Sequence, residues 1–578
     1  MGHKLSKISL AVLSATALQV SSAALAQETA TESSPDADLV EVIQVSGIRQ
    51  SLTNALAEKR SSDNLIEVIQ AVDIGKLPDQ NLAEVLENVT GIQITRTAGI
   101  GTGVQIRGTN ANRTEINGVS TVGSGSGRGG IDFEDVNASI ISAVEVTKSP
   151  EAKTIEGSVG GTVNLRTIRP LELTETLGNI RVQGEDSSLT TDGMQPRISG
   201  AFGKNWETSS GKFGFVLSGS YTEQEATSFR PRVDRDGGLV ENVNATVVRG
   251  GNEQDPSARP AAQSFDFVGI QFLNQELENY EYETKNLAAS FEWAPNDNTK
   301  FFFDAVINDQ ERRQDSSRVQ GSGVSSVLDY NVPSEFETVN FGTLDGVVLG
   351  SIPVAVRGVI EPNLDVDDDD PNLRFSSDTG ARVTKSEIFR IGGEWQGDHL
   401  FASVELSSST SDTVNPNLST TLNFINPNAP LDGTSNDNSV PFIYDLTGGA
   451  LTFGINFDSP YAPTVDDLLN PNNVVLDAVT VGRDTTENSE DAFRADFTYF
   501  FDNDYLMSVD FGYRFNKSAS TFDDVGSSIG LSRMSDSPNG SLFADLLVPG
   551  PSNFGSADGR ELAFRNFLLI DPNLSFND

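Results

Sequence analysis

The order of hydrophobic and polar positions divides the chain into two β-rich parts. Between residues 79 and 166 the apolar runs are short, and glycines often separate them. Apolar side chains at helical spacing between Asp79 and Gly91 predict one helix. Alternating runs predict five short strands at 92–95, 104–107, 114–117, 143–147 and 162–166. Together these elements are typical of a small, glycine-rich α+β domain.

After about Leu171 the predicted strands become longer and alternate strictly. In 506–516 every second residue is apolar from Met507 to Phe515. Seven such runs are found, at 212–221, 287–293, 301–308, 388–395, 400–407, 493–500 and 506–516. Charged residues such as Arg494 and Asp496 share one face, which suits a watery barrel interior. A soluble sandwich with a solvent-exposed second face is the alternative.

The spacing between these runs favours a barrel in the outer membrane. Short turns at 294–299, 396–399 and 501–505 join strands into pairs, and roughly 60 to 80 residues separate the pairs, far beyond ordinary loop lengths. Outer-membrane barrels have short turns on one side and long loops on the other. Trp293, Trp395 and Tyr499 all lie beside the short turns, as in an interfacial aromatic girdle.

The N-terminal residues predict export. Lys4 and Lys7 precede a short apolar run, and Ala24 and Ala26 form a signal-peptidase pattern, which predicts cleavage after Ala26. The alternative, a membrane anchor, needs a longer apolar run. Residues 27–40 lack periodicity and are expected to be disordered. The strand-competent run 41–47 stands alone after them, so another protein can pair with it; an ordinary edge strand is the alternative.

Composition and charge exclude several classes of function. The formal net charge is −42, or −42 − 2 = −44 without residues 1–26, which contain two lysines and no acids. Such a chain repels the phosphates of DNA and RNA, so no nucleic acid partner is expected. The chain has no cysteine, and His3 and His399 are its two histidines. We therefore expect no metal site, no cofactor and no enzymatic activity.

Several of these segments resemble the TonB-dependent receptors of the Gram-negative outer membrane. The run 41–47 looks like that family's TonB box. Four segments resemble its plug signature, in the family's order: 104–108, 116–119, 144–150 and 157–166. The similarity of the plug covers roughly residues 41–170. Residues 45–95, which include the sequence DIGKLPD at 73–79, are similar to a subgroup often associated with oligosaccharide import.

The resemblance implies a fold class and a domain order. The fold is expected to be mainly β, a small α+β plug followed by an antiparallel transmembrane β-barrel. The expected parts are a signal peptide (1–26), a disordered leader with the TonB box (27–50), the plug (51–170) and an incomplete barrel with long extracellular loops (171–578). About nine strands follow the plug, whereas plugged transporter barrels use 22. We therefore expect this chain to be the N-terminal part of a longer receptor.

The resemblance also implies a function and partners. The outer membrane has no ATP or ion gradient of its own, so TonB, with its inner-membrane energising complex, would pull on the box and displace the plug. The other partners are outer-membrane lipid and a small-molecule ligand, either an oligosaccharide or, alternatively, a metal chelate such as a siderophore complex. A passive porin-like channel, an adhesin without transport and, last, a secreted enzyme are the alternatives. A signal-transducing variant is not expected, because it needs a folded domain ahead of the box.

Individual residues take roles from the resemblance. The TonB box comprises Glu41, Val42, Ile43, Gln44, Val45, Ser46 and Gly47. Structural roles in the plug fall on Arg107, Gly108, Asn117, Gly118, Glu145, Lys148, Gly160, Gly161 and Arg166. Of these, Arg107 and Arg166 are expected to pair with carboxylates inside the barrel. Two plug loops, 97–103 and 120–130, supply the candidate ligand contacts Thr97, Gly99, Gly101, Ser120, Ser124, Ser126 and Arg128.

Two further motifs have weaker interpretations. The glycine spacing Gly125, Gly127 and Gly130 matches a dinucleotide-binding fingerprint, but no βαβ unit surrounds it, so a flexible loop is expected. The acidic run 367–370 offers carboxylates that suit Ca²⁺. It lacks the glycine spacing of a calcium loop, so a solvated external loop is expected there.

Overall fold

The fold is described from a computed structural model of the protein. It describes residues 55–572, except for 71–81, 241–264, 323–330, 365–370 and several gaps of five residues or fewer. These residues lie within one compact unit, Gly47–Asp578. The predicted signal peptide, leader and TonB box lie outside the described residues.

Residues 55–166 form a small α+β domain, called the N-terminal domain below. Its helices are α1, residues 55–60, and α2, Leu82–Glu87. Its strands are β1 (Ile66–Gln70), β2 (Ile92–Thr97), β3 (Ile100–Ile106), β4 (Arg113–Ile116), β5 (Val119–Ser120), β6 (Ala143–Thr147) and β7 (Thr162–Arg166). The sheet order is β1-β6-β7-β4-β5, with β4 and β7 parallel, and β2–β3 is a separate hairpin.

The apolar spacing places the core of this domain. The buried side of α2 carries Leu82, Val85 and Leu86, all fully buried, because residues three and four apart share one face of a helix. They pack with apolar side chains of β3, β4, β6 and β7. The predicted helix and five strands are thus observed, with bounds shifted by up to four residues; Asp79 lies outside the described residues.

Two dipeptides form tight turns at the ends of the predicted strands 104–107 and 114–117. Asn117 and Gly118 have φ values of 54° and 78° and join β4 to β5 as a two-residue hairpin. Backbones with positive φ favour Asn-Gly in such turns. The Asn117 side chain is anchored at Thr167, whose N–H donates to its Oδ1 at 2.9 Å. Arg107 and Gly108 form a similar turn, with φ values of 54° and 79°.

A nine-stranded antiparallel sheet, called the large sheet below, follows the N-terminal domain. Its strands are β8 (Leu177–Glu185), β9 (Gln195–Thr208), β10 (Gly211–Asp234), β13 (Phe272–Asn296), β14 (Thr299–Ser322), β19 (Asn372–Gln396), β20 (Leu400–Phe424), β23 (Val474–Phe500) and β24 (Ser508–Gly530). Neighbours in the sheet are also neighbours in this list. The prediction of a mainly β chain is confirmed, and nine of the strands that follow the small domain form this sheet.

The face of the large sheet turned away from the N-terminal domain carries an apolar band next to the short turns. On β14 this band includes Phe301, Phe303 and Ile307, all more than one-third exposed. Aromatic rings form a row at its edge: Phe213 stacks on Trp206 and Trp293, with centroids 6.1 and 5.8 Å away. Trp395 and Tyr499 also lie beside short turns and are exposed. The row therefore includes Trp206 in addition to the three predicted aromatics.

The long connections fold into a second layer at the other end of the large sheet. Its strands are β11 (Leu239–Val240), β12 (Phe267–Val268), β15 (Asn331–Asn340), β16 (Thr343–Leu344), β17 (Val347–Val348), β18 (Ser351–Ile360), β21 (Phe442–Asp445), β22 (Thr452–Ile455), β25 (Leu547–Pro549) and β26 (Leu568–Ile570). The short helices of this layer are α3 (Val465–Leu468) and the 3₁₀ turns Pro471–Asn473 and Gly540–Leu546. A further 3₁₀ turn, Pro170–Glu172, joins the N-terminal domain to β8. No helix in the described part of the chain is long and apolar enough to cross a membrane.

A second apolar core holds these connections on the large sheet. Phe375 of β19 stacks on Phe567, with ring centroids 5.3 Å apart, and both side chains are buried. The Gln275 side chain of β13 exchanges two hydrogen bonds with the backbone of Phe564, at 2.8 and 2.9 Å. Residues 560–572 are therefore fixed across strands that precede them by about 200 to 300 residues.

Candidate functional site

The N-terminal domain sits on the large sheet through an apolar contact. Its core cluster continues into Ala288 of β13, Val306 of β14 and Ile388 of β19, each at most 4 % exposed. These residues alternate with the exposed apolar band on the same strands, because successive side chains of a strand point to opposite faces. One face of the large sheet therefore carries the domain.

A buried ion-pair network fastens the end of the N-terminal domain. Arg169 donates to both oxygens of Asp304, at 2.8 and 3.0 Å. Arg390 reaches Asp304 at 3.2 Å and also pairs with Glu405 at 2.7 Å. Asp304 is only 3 % exposed, so its charge is compensated by two arginines and not by water.

A second charged group lies where the domain faces β23 and β24. Arg113 of β4 approaches Glu490 at 3.5 Å, and both side chains are buried. Burial raises the pKa of the neighbouring Glu115, although Arg514, Arg113 and Arg494 oppose that change. A cavity of about 1410 Å³ separates this side of the domain from the sheet, lined among others by Arg113, Arg494 and Arg514. This flank is thus polar, in contrast to the apolar contact.

The loop after β5 contacts three strands of the large sheet. The Val122 N–H donates to Ser409 Oγ at 3.2 Å, and the Asn488 side chain donates to the Gly123 carbonyl at 2.9 Å. Arg382 reaches Ser124 Oγ at 3.4 Å. Ser124, a predicted ligand contact, therefore lies beside β19.

Arg382 also lines a pocket of about 310 Å³ on β14, β19 and β20. Its polar lining includes Arg312, Gln314, Asp378, Asn415, Asn417 and Ser419. The β19–β20 pairing is interrupted there, between Gly380 and Val383, opposite Pro416, which has no N–H to donate. Because Arg382 belongs to both places, the pocket and the loop at Ser124 share a residue.

The other predicted ligand residues are not gathered at this pocket. Thr97, Gly99 and Gly101 belong to the β2–β3 hairpin, and a Cβ on Gly99 would meet Leu189 of the β8–β9 connection at 3.6 Å. Ser120 is 2 % exposed and its hydroxyl accepts a hydrogen bond from Arg113, which favours a structural role. Ser126 and Arg128 lie outside the described residues, as do the glycine spacing 125–129 and the acidic run 367–370.

The predicted structural residues occupy constrained positions. A Cβ on Gly160 would lie 2.8 Å from the Ile106 carbonyl, and one on Gly161 2.6 Å from the Thr147 carbonyl. Lys148 is buried and donates to the Thr90 carbonyl at 2.5 Å. Burial would raise the pKa of Glu67, but the hydrogen bonds and charges of Lys59 and Lys148 outweigh it and lower that pKa.

The expected pairing of two arginines with the barrel differs from the structure. Arg166 binds Glu58 of its own domain at 2.7 Å, with Glu145 at 4.0 Å. Arg107 is exposed at its turn. The arginines that do reach the large sheet, Arg113 and Arg169, were not singled out from the sequence; a charge inside a buried strand is the signal that points to Arg113.

Residues 58–162 match the family model described as the TonB-dependent Receptor Plug Domain. The chain carries a TonB-dependent receptor plug. The match covers α1 to the start of β7, so the N-terminal domain is this plug. The predicted resemblance to TonB-dependent receptors is confirmed. No curated protein matches the chain.

Solved structures of receptors give low similarity to the chain. The ferric enterobactin receptor PfeA mutant G324V of Pseudomonas aeruginosa is 12 % identical, with 77 % of this chain and 72 % of that chain covered and a TM-score of 0.24. The ferric citrate transporter FecA is 11 % identical, with 81 % of this chain and 75 % of that chain covered and a TM-score of 0.27. BauA, the ferric preacinetobactin receptor of Acinetobacter baumannii, is 10 % identical, with 87 % of this chain and 66 % of that chain covered and a TM-score of 0.31. These TM-scores are too low to support an argument.

Proposed function

We propose that this chain acts in energised uptake across the Gram-negative outer membrane. The observation that carries the proposal is the plug, matched at residues 58–162 and seated on a large antiparallel sheet by Ala288, Val306 and Ile388. A domain fixed in this way must be displaced or remodelled before a ligand can pass. TonB and its inner-membrane complex supply that work by pairing with residues 41–47.

The apolar band supports insertion of the large sheet in the membrane. On β14, residues 299–308 carry the apolar positions, and the outward residues that follow are Asp309, Glu311 and Arg313. Ten residues match the roughly 9 to 11 that a tilted transmembrane strand needs. The aromatic row at Trp206, Phe213 and Trp293 marks the periplasmic edge of the band, next to the short turns.

The pocket beside Arg382 is the proposed place for the ligand. Its amides, hydroxyls and charged groups, among them Gln314, Asp378 and Asn417, can exchange hydrogen bonds with sugar hydroxyls. The formal charge of −42 disfavours anionic ligands in general. We therefore propose an oligosaccharide, with a metal chelate as the alternative ligand of the same site.

The position of Arg382 suggests how a ligand affects the plug. A ligand that recruits the Arg382 guanidinium weakens its contact with Ser124 and loosens the loop after β5. Binding of a neutral oligosaccharide series and of ferric chelates to the purified chain, and to Asn417→Ala, tests the ligand class. Binding of oligosaccharides that Asn417→Ala weakens supports the proposal; binding of chelates alone contradicts the choice of sugar.

Substitution in the TonB box tests the energised step. We expect Ile43→Pro to abolish uptake in cells and to leave surface binding of the ligand intact, because proline removes a donor and fixes φ. Ser46→Ala, in the same run, keeps both the donor and the conformational freedom and serves as the control. Normal growth of the Ile43→Pro strain on the limiting substrate would contradict the proposal.

A further inference from the structure

Helix α1 is attached to the plug almost without apolar packing. None of its six residues is buried, and Leu56 is 51 % exposed. A helix of this length is not stable alone in water. Its place on the plug must therefore come from the polar contacts of its side chains.

Those contacts center on one glutamate. Glu58 accepts from Arg166 Nη1 at 2.7 Å and from Arg166 Nη2 at 3.0 Å, a two-point ion pair. The Gln70 side chain donates to the same carboxylate at 2.8 Å. Next to it on α1, Lys59 pairs with Glu67 at 2.7 Å. Arg166 and Glu58 are about one-third exposed, so water can compete for both partners.

The ion pair connects α1 to an inner strand of the plug sheet, β7, and not only to the edge strand β1. Gln70, Ala143 and Arg166 form one row across β1, β6 and β7. Glu58 therefore binds the third strand of the sheet, although the chain after α1 enters the sheet at the edge strand β1. While the pair is closed, a pull on the chain before α1 is shared between β7, through Arg166, and β1, through Gln70.

We infer that the Glu58–Arg166 ion pair is a releasable latch on the path between the TonB box and the plug sheet. This inference rests on the proposed function. Opening the latch releases the six residues of α1, 55–60, from β7, and these residues extend to about 20 Å at 3.3 to 3.6 Å per residue. The load then passes to Ile66, at the end of β1, where the pairs with β6 can open one after another from Ile66–Thr147. The latch thus yields length before the plug sheet opens.

Spin labels can report the latch directly, because the chain contains no cysteine. Ala57→Cys on α1 and Gln93→Cys on β2 are exposed positions. In the purified full chain we expect one narrow distance distribution between the two labels. Glu58→Gln should raise the population at longer distances about twofold to fivefold, the range typical of ion pairs with this exposure. The exchanged pair Glu58→Arg with Arg166→Glu should restore the narrow distribution.

A second ion pair of the plug provides the matched control. Arg96 binds Glu84 at two points, 3.0 and 2.7 Å, away from α1. Glu84→Gln removes one pair of comparable exposure, while Arg96 keeps Glu87 at 2.6 Å. This substitution should leave the label distances unchanged. Raising the salt concentration on the chain with an intact latch should widen the distribution, because salt screens exposed pairs. Equal distributions for Glu58→Gln and Glu84→Gln, with no response to salt, would overturn the latch.

Capture of the TonB periplasmic domain separates the latch from the proposed function. We expect that domain to bind the chain and the Glu58→Gln variant alike, since residues 41–47 are unchanged in both. Failure to bind either chain overturns the proposed function. If Glu58→Gln changes the label distances but the TonB domain binds neither chain, the ion pair holds α1 on the plug but has no role in pulling by TonB.

Discussion

Asp304→Asn tests how the plug is fastened to the large sheet. Asp304 is 3 % exposed and accepts hydrogen bonds from Arg169 at 2.8 and 3.0 Å, from Arg390 at 3.2 Å and from Ser290 at 2.8 Å. The substitution keeps the shape and one acceptor oxygen but removes the charge. Arg390 retains Glu405, whereas the nearest further carboxylate for Arg169 is Glu292 at 4.0 Å.

The expected cost follows from these partners. A hydrogen bond to a charged group is worth about 1.5 to 3 kcal/mol, and breaking a buried pair costs about 3 to 5 kcal/mol. Because Arg390 keeps a partner, we expect a loss of about 2 to 4 kcal/mol, most of it at Arg169. Hydrogen exchange of the backbone amides in 162–171 measures this loss as a lower free energy of local opening.

An exposed ion pair on the same strands is the control. Lys300 and Glu394 pair at 2.9 Å with about one-third of each side chain exposed. Lys300→Gln should change the exchange of 162–171 by less than about 1 kcal/mol. Equal effects of Asp304→Asn and Lys300→Gln would refute the conclusion that the buried network fastens the plug.

Three further substitutions probe other parts of the chain. Asn117→Val places a β-branched residue at a φ of 54° and removes the hydrogen-bond acceptor of the Thr167 N–H. We expect the free energy of local opening of β4, measured by hydrogen exchange, to fall by about 2 to 3 kcal/mol. Unchanged exchange would contradict the importance of this turn. Phe567→Ala should destabilise the second apolar core by about 3 to 5 kcal/mol in urea unfolding, with Leu542→Ala, which is exposed, as the silent control. Glu115→Gln should stabilise the plug at pH 7.5 and less so at pH 4. The raised pKa of Glu115 favours the folded plug below the pKa that this carboxyl has in the unfolded chain, and this contribution is lost as the pH rises through its pKa in the folded plug. The uncharged side chain of the Glu115→Gln variant avoids that loss at pH 7.5. The same dependence of the free energy of unfolding on pH in the parent chain and in Glu115→Gln would contradict a raised pKa of Glu115.

The sequence predicted elements whose pattern is local. Strands β6 and β7 were predicted at their observed bounds, because alternating apolar residues end there at polar residues and glycines. The turn at Asn117 and Gly118 was not predicted, since the strand was expected to run from 114 to 117, although an Asn-Gly pair is itself a local signal of a two-residue turn.

The large sheet was predicted only where its strands carry apolar residues. The run 301–308 was found, but β14 continues to Ser322 through the polar sequence DQERRQDSSRVQGS. That half lacks hydrophobic alternation, and pairing with β13 and β19 extends it. Hydrogen bonding between neighbouring strands is a tertiary property that periodicity does not contain.

The charged contacts of the plug were predicted least well. Arg113 meets Glu490, and Arg166 meets Glu58, and no local pattern connects partners so far apart in the chain. The motif showed that Arg166 belongs to a plug, but a charge can reach any carboxylate that folding brings near. The structure was needed to show that Arg166 stays within the plug, whereas Arg169 reaches β14.

Cross-linking of residues 41–47 to TonB tests the central claim most directly. Single cysteines at each of these positions, in a chain that has none of its own, would be exposed to the TonB periplasmic domain carrying a cysteine on its free strand edge. Strand pairing predicts cross-links in every second position, since alternate side chains of a strand share one side. Absence of cross-links, or equal cross-linking at all seven positions, would contradict the proposal that TonB pulls this plug.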